Sequence, residues 1–278
     1  MKNDKETLLY AWRRPAFRPE DAWLDHTYVT DYTPFDKYST IQSVINAGKH
    51  FWYCWGEFDV KNKNQSLVPQ CPTTGRSADL KKVSCICKPN DKNAHGTIFT
   101  YLIDGVCHQL ANQVLYPTDP RIIVAGVKGW QISRINYGAY GRQHDKWDNV
   151  KKKCMDGTRK MPKNKKAANK IMKRKELNLF VHEQLGKKLP QKKRAFLCEV
   201  MEETDKVRRN LYKEMEKGNI TPEEFANSVN KLHDGQLLRI ADQIGREDYI
   251  KLFGAPPEKP IHLAEPKLAR AFFKTKKK

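Results

Sequence analysis

The sequence predicts an α+β fold, in which an antiparallel sheet with one packed helix precedes a helical part. Residues 1–150 contain short aromatic and β-branched segments separated by turn sequences such as YTPFD and NAGKH, a pattern typical of strands. A single helical segment, 106–115, interrupts them. From residue 176 onward, apolar residues recur at steps of three and four, as on one face of an amphipathic helix.

The strand candidates follow one another along the first part of the chain. HTYVTDY (26–32) alternates partly as a strand would, and KHFWYCWGEF (49–58) is apolar or aromatic at nearly every position, which predicts a buried strand. GTIFTYLIDG (96–105) ends in an Asp-Gly turn. RIIVAG (121–126) and GWQISRINYG (129–138) are further strand candidates.

The helical part carries a specific start signal. In NITPEEF, Thr221 is the expected N-cap, Pro222 the first helical residue and Glu224 the third, which together make a capping box with the preferred proline. An earlier helix is predicted by an apolar stripe that comprises Leu197, Val200, Met201, Thr204, Val207, Leu211 and Met215. One or two short helices should follow and end at Gly254.

These patterns divide the chain into four regions with different charge. Residues 1–150 form the α+β domain, 151–175 a basic connector, 176–255 a helical domain and 256–278 a basic tail that we expect to be loose. The net charge of +20 is concentrated in two of these regions. The connector carries 12 basic residues against one acid, Asp156, whereas residues 176–255 balance 14 against 14.

No long apolar run and no apolar leader with a small-residue cleavage site is visible, so neither a transmembrane helix nor a signal peptide is predicted. Seven cysteines without a secretory signal favour a reducing compartment with mostly free thiols. We therefore expect a cytoplasmic protein, or one exported without a cleaved signal.

The cysteine with the most suggestive surroundings is Cys107, in LIDGVCHQLANQVLYP. The Asp104-Gly105 turn places it in the first turn of the predicted helix, where exposed N–H groups and the helix dipole favour a thiolate. The same N–H groups can hold an oxyanion. Cys107 is therefore a candidate nucleophile, and the alternative is a small apolar residue packed against the sheet.

A cysteine nucleophile also needs a histidine within hydrogen-bond reach. His108 is rotated about 100° from Cys107 around the helix, so the partner should come from a strand. His26 and His50 each stand at the opening of a strand candidate. The predicted order is therefore a strand with histidine, a second strand, and then the helix with the cysteine.

This order, with His26 in DHTYV and Cys107 in DGVCHQLAN, resembles the circularly permuted NlpC/P60 branch of papain-like enzymes, which includes lecithin:retinol acyltransferase-like proteins. The resemblance covers about residues 20–140 and implies a permuted papain-like fold without a metal or cofactor. It implies that Cys107 is the nucleophile, that His26 is the general base, and that His50 or Glu57 orients His26. The long interval between His26 and Cys107, with its cysteine-rich stretch 71–95, departs from the pattern.

The resemblance also implies the chemistry. The expected activity is hydrolysis of an amide bond in a peptide, with bacterial cell-wall peptide as the first candidate substrate and a lipid acyl group as the next. A cytosolic chain of this kind would suit a toxin or effector, or a phage enzyme, with a neutralising partner protein. His108, Trp130, Tyr137 and Tyr140 are candidate substrate contacts, although the glycine- and aromatic-rich stretch 126–141 also fits ordinary strands with tight turns.

Two further hypotheses concern a zinc site and the binding of polyanions. Cys71, Cys85, Cys87 and His95 lack the closely spaced cysteine pair typical of structural zinc, so no metal site is predicted. The connector 151–175 could contact nucleic acid, anionic lipid or an acidic wall polymer through its cations. It contains no aromatic residue for base stacking. A non-enzymatic polyanion-binding protein is therefore the alternative to the hydrolase.

Overall fold

A computed structural model of the chain is α+β, as the sequence predicts. It describes residues 6–15, 24–33, 36, 38–53, 64, 66–67, 71–87, 89, 100–118, 121, 126–155, 165–264 and 266–273. The chain divides into two compact units. The sheet unit comprises residues 1–130 and 139–161, and the helical unit comprises 131–138 and 162–278.

The sheet unit is built on an antiparallel sheet. Its strands are β1 (Glu6–Pro15), β2 (Asp25–Thr30), β3 (Phe51–Tyr53), β4 (Cys71–Pro72) and β5 (Arg76–Asp79). β2 lies between β1 and β3, and β4 and β5 both pair with β1. Ala11 of β1 is the register partner of Val29 of β2. The sequence analysis did not identify β1, although its LLYAW core is apolar and aromatic.

Helices cover both faces of this sheet. They are α1 (Ile41–Asn46), α2 (Leu80–Ile86), α3 (Cys107–Leu115) and α5 (His144–Met155). α4 (Trp130–Tyr137) precedes α5 along the chain, and its residues after Trp130 belong to the helical unit. Successive side chains of a strand point to opposite faces. One face, which includes Val29 and Trp52, shares its core cluster with α3. The other, which includes Tyr28 and Phe51, packs with α1.

The strand predictions have different outcomes. The segment 26–32 is β2, and 49–58 contains β3, after which residues 54–63 lie outside the described part. Of 96–105, the described residues form a turn closed by a bridge between Tyr101 and Gly105. The segment 121–126 lies mostly outside the described residues.

The prediction of a strand over 129–138 is wrong, because Trp130–Tyr137 is helix α4. Its apolar residues fit both a strand and a helix over so short a run, and the choice depends on tertiary burial. Gly129 and Gly138 flank the helix at positive φ, 81° and 71°. Glycine adopts this backbone without steric cost, so the two glycines mark helix ends rather than strand turns.

The helical unit contains α6 (Lys165–Leu185), α7 (Gln191–Glu216), α8 (Pro222–Ile244), α9 (Arg246–Phe253) and α10 (Pro266–Phe273). The predicted capping box is confirmed, since Glu224 N donates to Thr221 Oγ1 at 3.1 Å and Thr221 N donates to Glu224 Oε2 at 2.7 Å. α9 ends at Gly254, which adopts the left-handed conformation. The sequence therefore located these helix ends correctly.

The expectation of a loose tail after residue 255 is wrong for its described part. Asn230 of α8 accepts from the backbone N–H of Ala264 and donates to the carbonyl of the same residue. In α10, the Phe273 ring lies 5.5 Å from that of Phe225, and Arg270 pairs with Glu223 at 2.5 Å. These contacts hold the segment against α8.

The basic connector is helical at both described ends. Residues 151–155 complete α5, and 165–175 begin α6, while 156–164 lie outside the described residues. None of the described helices has the length and apolar composition needed to span a membrane.

Candidate functional site

Cys107 is the first residue of α3, as the sequence predicts. The turn before it is held by Asp104, whose carboxylate accepts from Thr100 N at 3.2 Å. Leu102 in this turn has a φ of 63°, a left-handed backbone that is uncommon for a bulky residue. Gln109 Oε1 accepts from Val106 N at 3.0 Å and so caps the helix start. The chain therefore enters α3 in one well-defined direction.

All residues of α3 are buried, including its polar ones. The polar side chains are directed to backbone groups of neighbouring segments, as burial requires. Asn112 Nδ2 donates to the Ala139 carbonyl and Gln113 Nε2 to the Tyr140 carbonyl, both at 2.8 Å. His108 Nε2 lies 2.9 Å from the Asp25 carbonyl. A carbonyl only accepts, so this nitrogen carries the proton.

The Cys107 thiol lies between the first turn of α3 and β2. Burial raises the pKa of the Cys107 thiol to about 11, and hydrogen bonds offset part of that effect. They come from the backbone of Thr27 and from the backbone N–H groups of His108 and Cys107, whereas Thr27 Oγ1 has no hydrogen-bond partner among the described residues. The side chain of Cys107 is 6% exposed. In this closed state the thiol is protonated at neutral pH.

Cys87 is the natural comparison, because it is a free, buried thiol of the same core cluster. Burial alone raises the pKa of Cys87, and more strongly than that of Cys107. Cys107 is 6% exposed and Cys87 0%, and hydrogen bonds lower the pKa of Cys107 alone. The surroundings of Cys107 therefore oppose the thiolate less than those of Cys87 do.

His26 is two residues into β2 and is 4% exposed. Burial and the charges of Arg14 and His108 lower the pKa of His26 to about 3, so the imidazole is neutral. Strand alternation directs Thr27 to the α3 face, with Val29, and His26 to the face of Tyr28. The structure therefore brings the strand segment of His26 to Cys107, but Thr27 is the residue of that segment that contacts the thiol.

His50 lies at the other end of β2, beside Asp31. His50 Nδ1 donates to Asp31 Oδ2 at 2.7 Å, and His50 N donates to Asp31 Oδ1 at 2.6 Å. Five residues of extended chain separate Asp31 from His26, roughly 16 Å along the strand. The structure does not bring His50 to His26, so an orienting role for His50 has no geometric support.

The candidate substrate contacts are dispersed. The Trp130 ring meets the His108 ring edge-on at 6.1 Å, and both residues are buried. Tyr140 packs with Tyr116 and Trp147 in an aromatic cluster of the sheet unit. Tyr137 belongs to the helical unit, where Arg208 Cζ lies 4.6 Å from its ring centroid. Of these aromatic candidates, Trp130 is the one that contacts the first turn of α3, through the His108 ring.

Two of the sequence candidates, Glu57 and His95, lie outside the described residues. Among the described residues, no group of histidines, cysteines and acids could hold a metal ion. Cys85 is joined to Cys154 in a disulfide, so its sulfur does not serve as a zinc ligand here. The expectation of free thiols holds for Cys87, Cys107 and Cys198, but not for this pair.

Sequence reasoning missed three residues that shape this region: Asp25, Thr27 and Asp31. The first two flank His26 in the DHTYV motif, and Asp31 closes the same strand candidate. Their signal was the cluster of polar residues in a buried strand. A buried polar side chain needs a partner. Asp25 and Asp31 each have one, whereas Thr27 Oγ1 has none among the described residues.

Comparison of the chain with protein-family models, with curated proteins and with solved structures finds no match.

Proposed function

We propose that this protein is a cysteine-dependent hydrolase that cleaves an amide bond through Cys107. The observation that carries the proposal is the position of Cys107 as the first residue of α3, which packs on β2. There the backbone N–H groups of Cys107 and His108 lower the pKa of the thiol against the larger effect of burial. N–H groups at a helix start stabilise a thiolate and can hold the oxyanion of a tetrahedral intermediate. The packing of α3 on β2 makes the histidine strand and the cysteine helix neighbours, although the structure fits the general α+β class and not the specific permuted papain fold.

In the proposed reaction, the Cys107 sulfur attacks the amide carbonyl carbon and its proton passes to His26, the general base that the resemblance implies. Strand alternation directs the His26 side chain to the other face of β2 in this closed structure, so the transfer requires His26 to reach the α3 face when the site opens. The first-turn N–H groups hold the oxyanion. The carbon–nitrogen bond then breaks, and the amine leaves with the proton from His26. Water hydrolyses the remaining thioester and restores the thiol. No metal or cofactor takes part in these steps.

The closed structure keeps both reacting groups neutral. The pKa of Cys107 is raised to about 11 and that of His26 is lowered to about 3, and burial is the main cause of both shifts. Contact with solvent or a polar substrate reduces the effect of burial. Under the proposal, opening of the site therefore moves both pKa values toward neutrality and activates the pair.

An acylation assay tests the proposal. The protein is incubated with p-nitrophenyl acetate, nitrophenolate release is followed, and acetylated residues are mapped by mass spectrometry. We expect acetylation of Cys107 and its loss in Cys107→Ser. His26→Gln should slow the reaction by about 100-fold or more, the usual contribution of a general base.

Cys87→Ser is the matched control, since it removes a buried thiol of the same cluster, and it should leave the rate unchanged. His108→Gln separates the two buried histidines, because a loss confined to His108→Gln would contradict the role of His26. Absence of any acetyl group on Cys107 contradicts the hydrolase itself. If acylation is found, short cell-wall peptides are the first amide substrates to test, and lipid esters the next.

The alternative, polyanion binding, is favoured by one structural observation. Residues 165–175, which hold six of the connector's 12 basic residues, form a regular helix rather than an irregular linker. A helix that neutralises several phosphates loses affinity steeply as salt rises. Heparin and duplex DNA binding across a salt series, with Lys165, Lys166, Lys170 and Lys173 changed to Gln, tests this reading. Unchanged binding in the variant contradicts it.

A further inference from the structure

A short segment, Gly126–Gly129, is hydrogen-bonded to Asp25, the first residue of β2, and we call this segment the strap. Asp25 N donates to the Lys128 carbonyl at 3.0 Å, and Lys128 N donates to Asp25 Oδ2 at 3.0 Å. At the other end of the strap, Arg13 Nη1 donates to the Gly126 carbonyl at 3.0 Å. The strap is thus attached to the sheet at two places.

Asp25 is the centre of these contacts. Its carboxylate also faces Arg13 Nη1 at 3.6 Å, and its carbonyl accepts from His108. Asp25 therefore uses its amide, its carbonyl and its carboxylate to connect the strap, Arg13 and the first turn of α3. The residue is 4% exposed, so the loss of its carboxylate leaves buried donors unpaired.

The strap lies near the first turn of α3, because Asp25 bonds to both Lys128 and His108. Val127 of the strap and Trp130, the residue after it, belong to the same core cluster as Cys107. Trp130 also contacts His108. A substrate carbonyl must come within about 3.5 Å of a nucleophile to react. Cys107 is 6% exposed, so a covering element has to move first.

The strap has the backbone for such a movement. Gly126 and Gly129, its first and last residues, both have a φ of 81°, and glycine passes between backbone regions that other residues do not reach. Val127 is the buried apolar residue between them. The strap is therefore a short segment between two glycines, with hydrogen bonds to Asp25 and Arg13 and one buried apolar side chain.

We infer that the strap gates access to Cys107 and that Asp25 is the positioning residue that latches it. Release of the strap from Asp25 exposes the Cys107 thiol without unfolding the sheet, and the segment then lines the opened cleft. This inference rests on the proposed function for its purpose. The gate itself is a property of the closed fold and can be measured without catalysis.

The test is the alkylation rate of individual cysteines in the folded protein, with iodoacetamide at pH 8 and mass-spectrometric mapping. Asp25→Ala should raise the alkylation rate at Cys107 by about tenfold or more, because it removes the hydrogen bond to Lys128 that opposes local opening. The rate at Cys87, whose backbone bonds to Trp52 and Val83 rather than to Asp25 or Lys128, should not change. Asp25→Asn should restore slow labelling, since its amide oxygen still accepts from Lys128 N.

Asp31→Ala is the matched control. Asp31 lies just beyond the other end of β2, is also buried, and also accepts from a backbone N–H, that of His50. Its loss should leave Cys107 protected. Equal acceleration by both variants, or a parallel rise at Cys87, would overturn the gate because either indicates general loosening. So would an unchanged Cys107 rate in Asp25→Ala.

If Asp25→Ala does not fold, hydrogen exchange of the unchanged protein tests whether the strap opens locally. The Lys128 amide should exchange at least about tenfold faster than the Val29 amide in the sheet, because it opens locally. Equal protection of the two amides would overturn the gate. Alkylation needs only an exposed thiol and no catalysis. If alkylation shows the gate but the acylation assay leaves Cys107 unmodified, this inference stands and the proposed function is contradicted.

Discussion

Cys85 and Cys154 are joined by a disulfide that ties α2 to α5 across a sequence separation of 69 residues. Both helices pack around the core cluster that contains Cys107. The bond also attaches the start of the basic connector to the sheet unit.

We expect Cys154→Ser to destabilise the sheet unit. In the chain-entropy view, a cross-link that closes a loop of this length contributes about 4 kcal/mol to the free energy of unfolding. Urea unfolding with and without reductant measures this effect, with Cys198→Ser, which removes a free thiol, as the control. A transition that is insensitive to both reductant and Cys154→Ser would contradict the stabilising role.

Acid should destabilise the protein through its buried histidines. The pKa of His26 is lowered to about 3 and that of His108 to about 4, mainly by burial. Both values lie below the ordinary 6.5, so unfolding takes up protons at acidic pH. The stability is complete above about pH 6.5 and falls by about 1.4 kcal/mol per pH unit for each histidine as pH drops toward 4.

Urea unfolding between pH 7 and pH 4 measures this dependence. His26→Gln should reduce the slope by about one proton, because glutamine does not titrate. His182→Gln is the control, since His182 is exposed on α6. An identical slope in His26→Gln and the unchanged protein would show that His26 is not buried in its neutral form.

Two glycines of the strap provide a matched pair. Gly126→Ala and Gly129→Ala both place a Cβ on a backbone with a φ of 81°, which costs about 1–2 kcal/mol. An added Cβ at Gly126 meets none of the described residues within 4 Å, whereas at Gly129 it clashes with the Leu24 side chain. We expect Gly129→Ala to cost about 1–3 kcal/mol more, from overpacking. Equal unfolding free energies would contradict the close contact with Leu24.

The helical unit depends on a buried arginine. Arg208 is 1% exposed, donates to Asp205 at 2.7 Å, and lies over the Tyr137 ring. Burial and the Arg208 charge hold the pKa of the adjacent His233 well below its usual range. Because this site uses the planar guanidinium, Arg208→Lys should destabilise the unit by about 3 kcal/mol.

Arg209→Lys is the control for this prediction. Arg209 contacts the same Asp205 but is 37% exposed, so its ion pair contributes little, about 0–1 kcal/mol. Thermal unfolding of both variants separates the two positions. Equal shifts would indicate that the guanidinium geometry of Arg208 has no special role.

Local sequence signals determined the parts of this protein whose physics is local. The capping box at Thr221, the Asp104-Gly105 turn and the placement of Cys107 in the first turn of α3 all depend on residues within a few positions of one another. Hydrogen bonds and backbone preferences at that range are readable from one chain segment. The α+β class followed from the same short-range patterns.

Tertiary structure decided what depends on distant partners. Trp130–Tyr137 is a helix because its apolar residues are buried on all sides, and a short apolar run does not reveal that. The described part of the tail after residue 255 is held by contacts with Asn230 and Phe225, which no local pattern in the tail predicts. Around Cys107, the alternation of side chains along β2 placed Thr27 against the thiol. The hydrogen bond between Asp25 and Lys128, 103 residues apart, exists only in the folded chain. Contacts across such separations depend on register and packing, which one-dimensional periodicity does not specify.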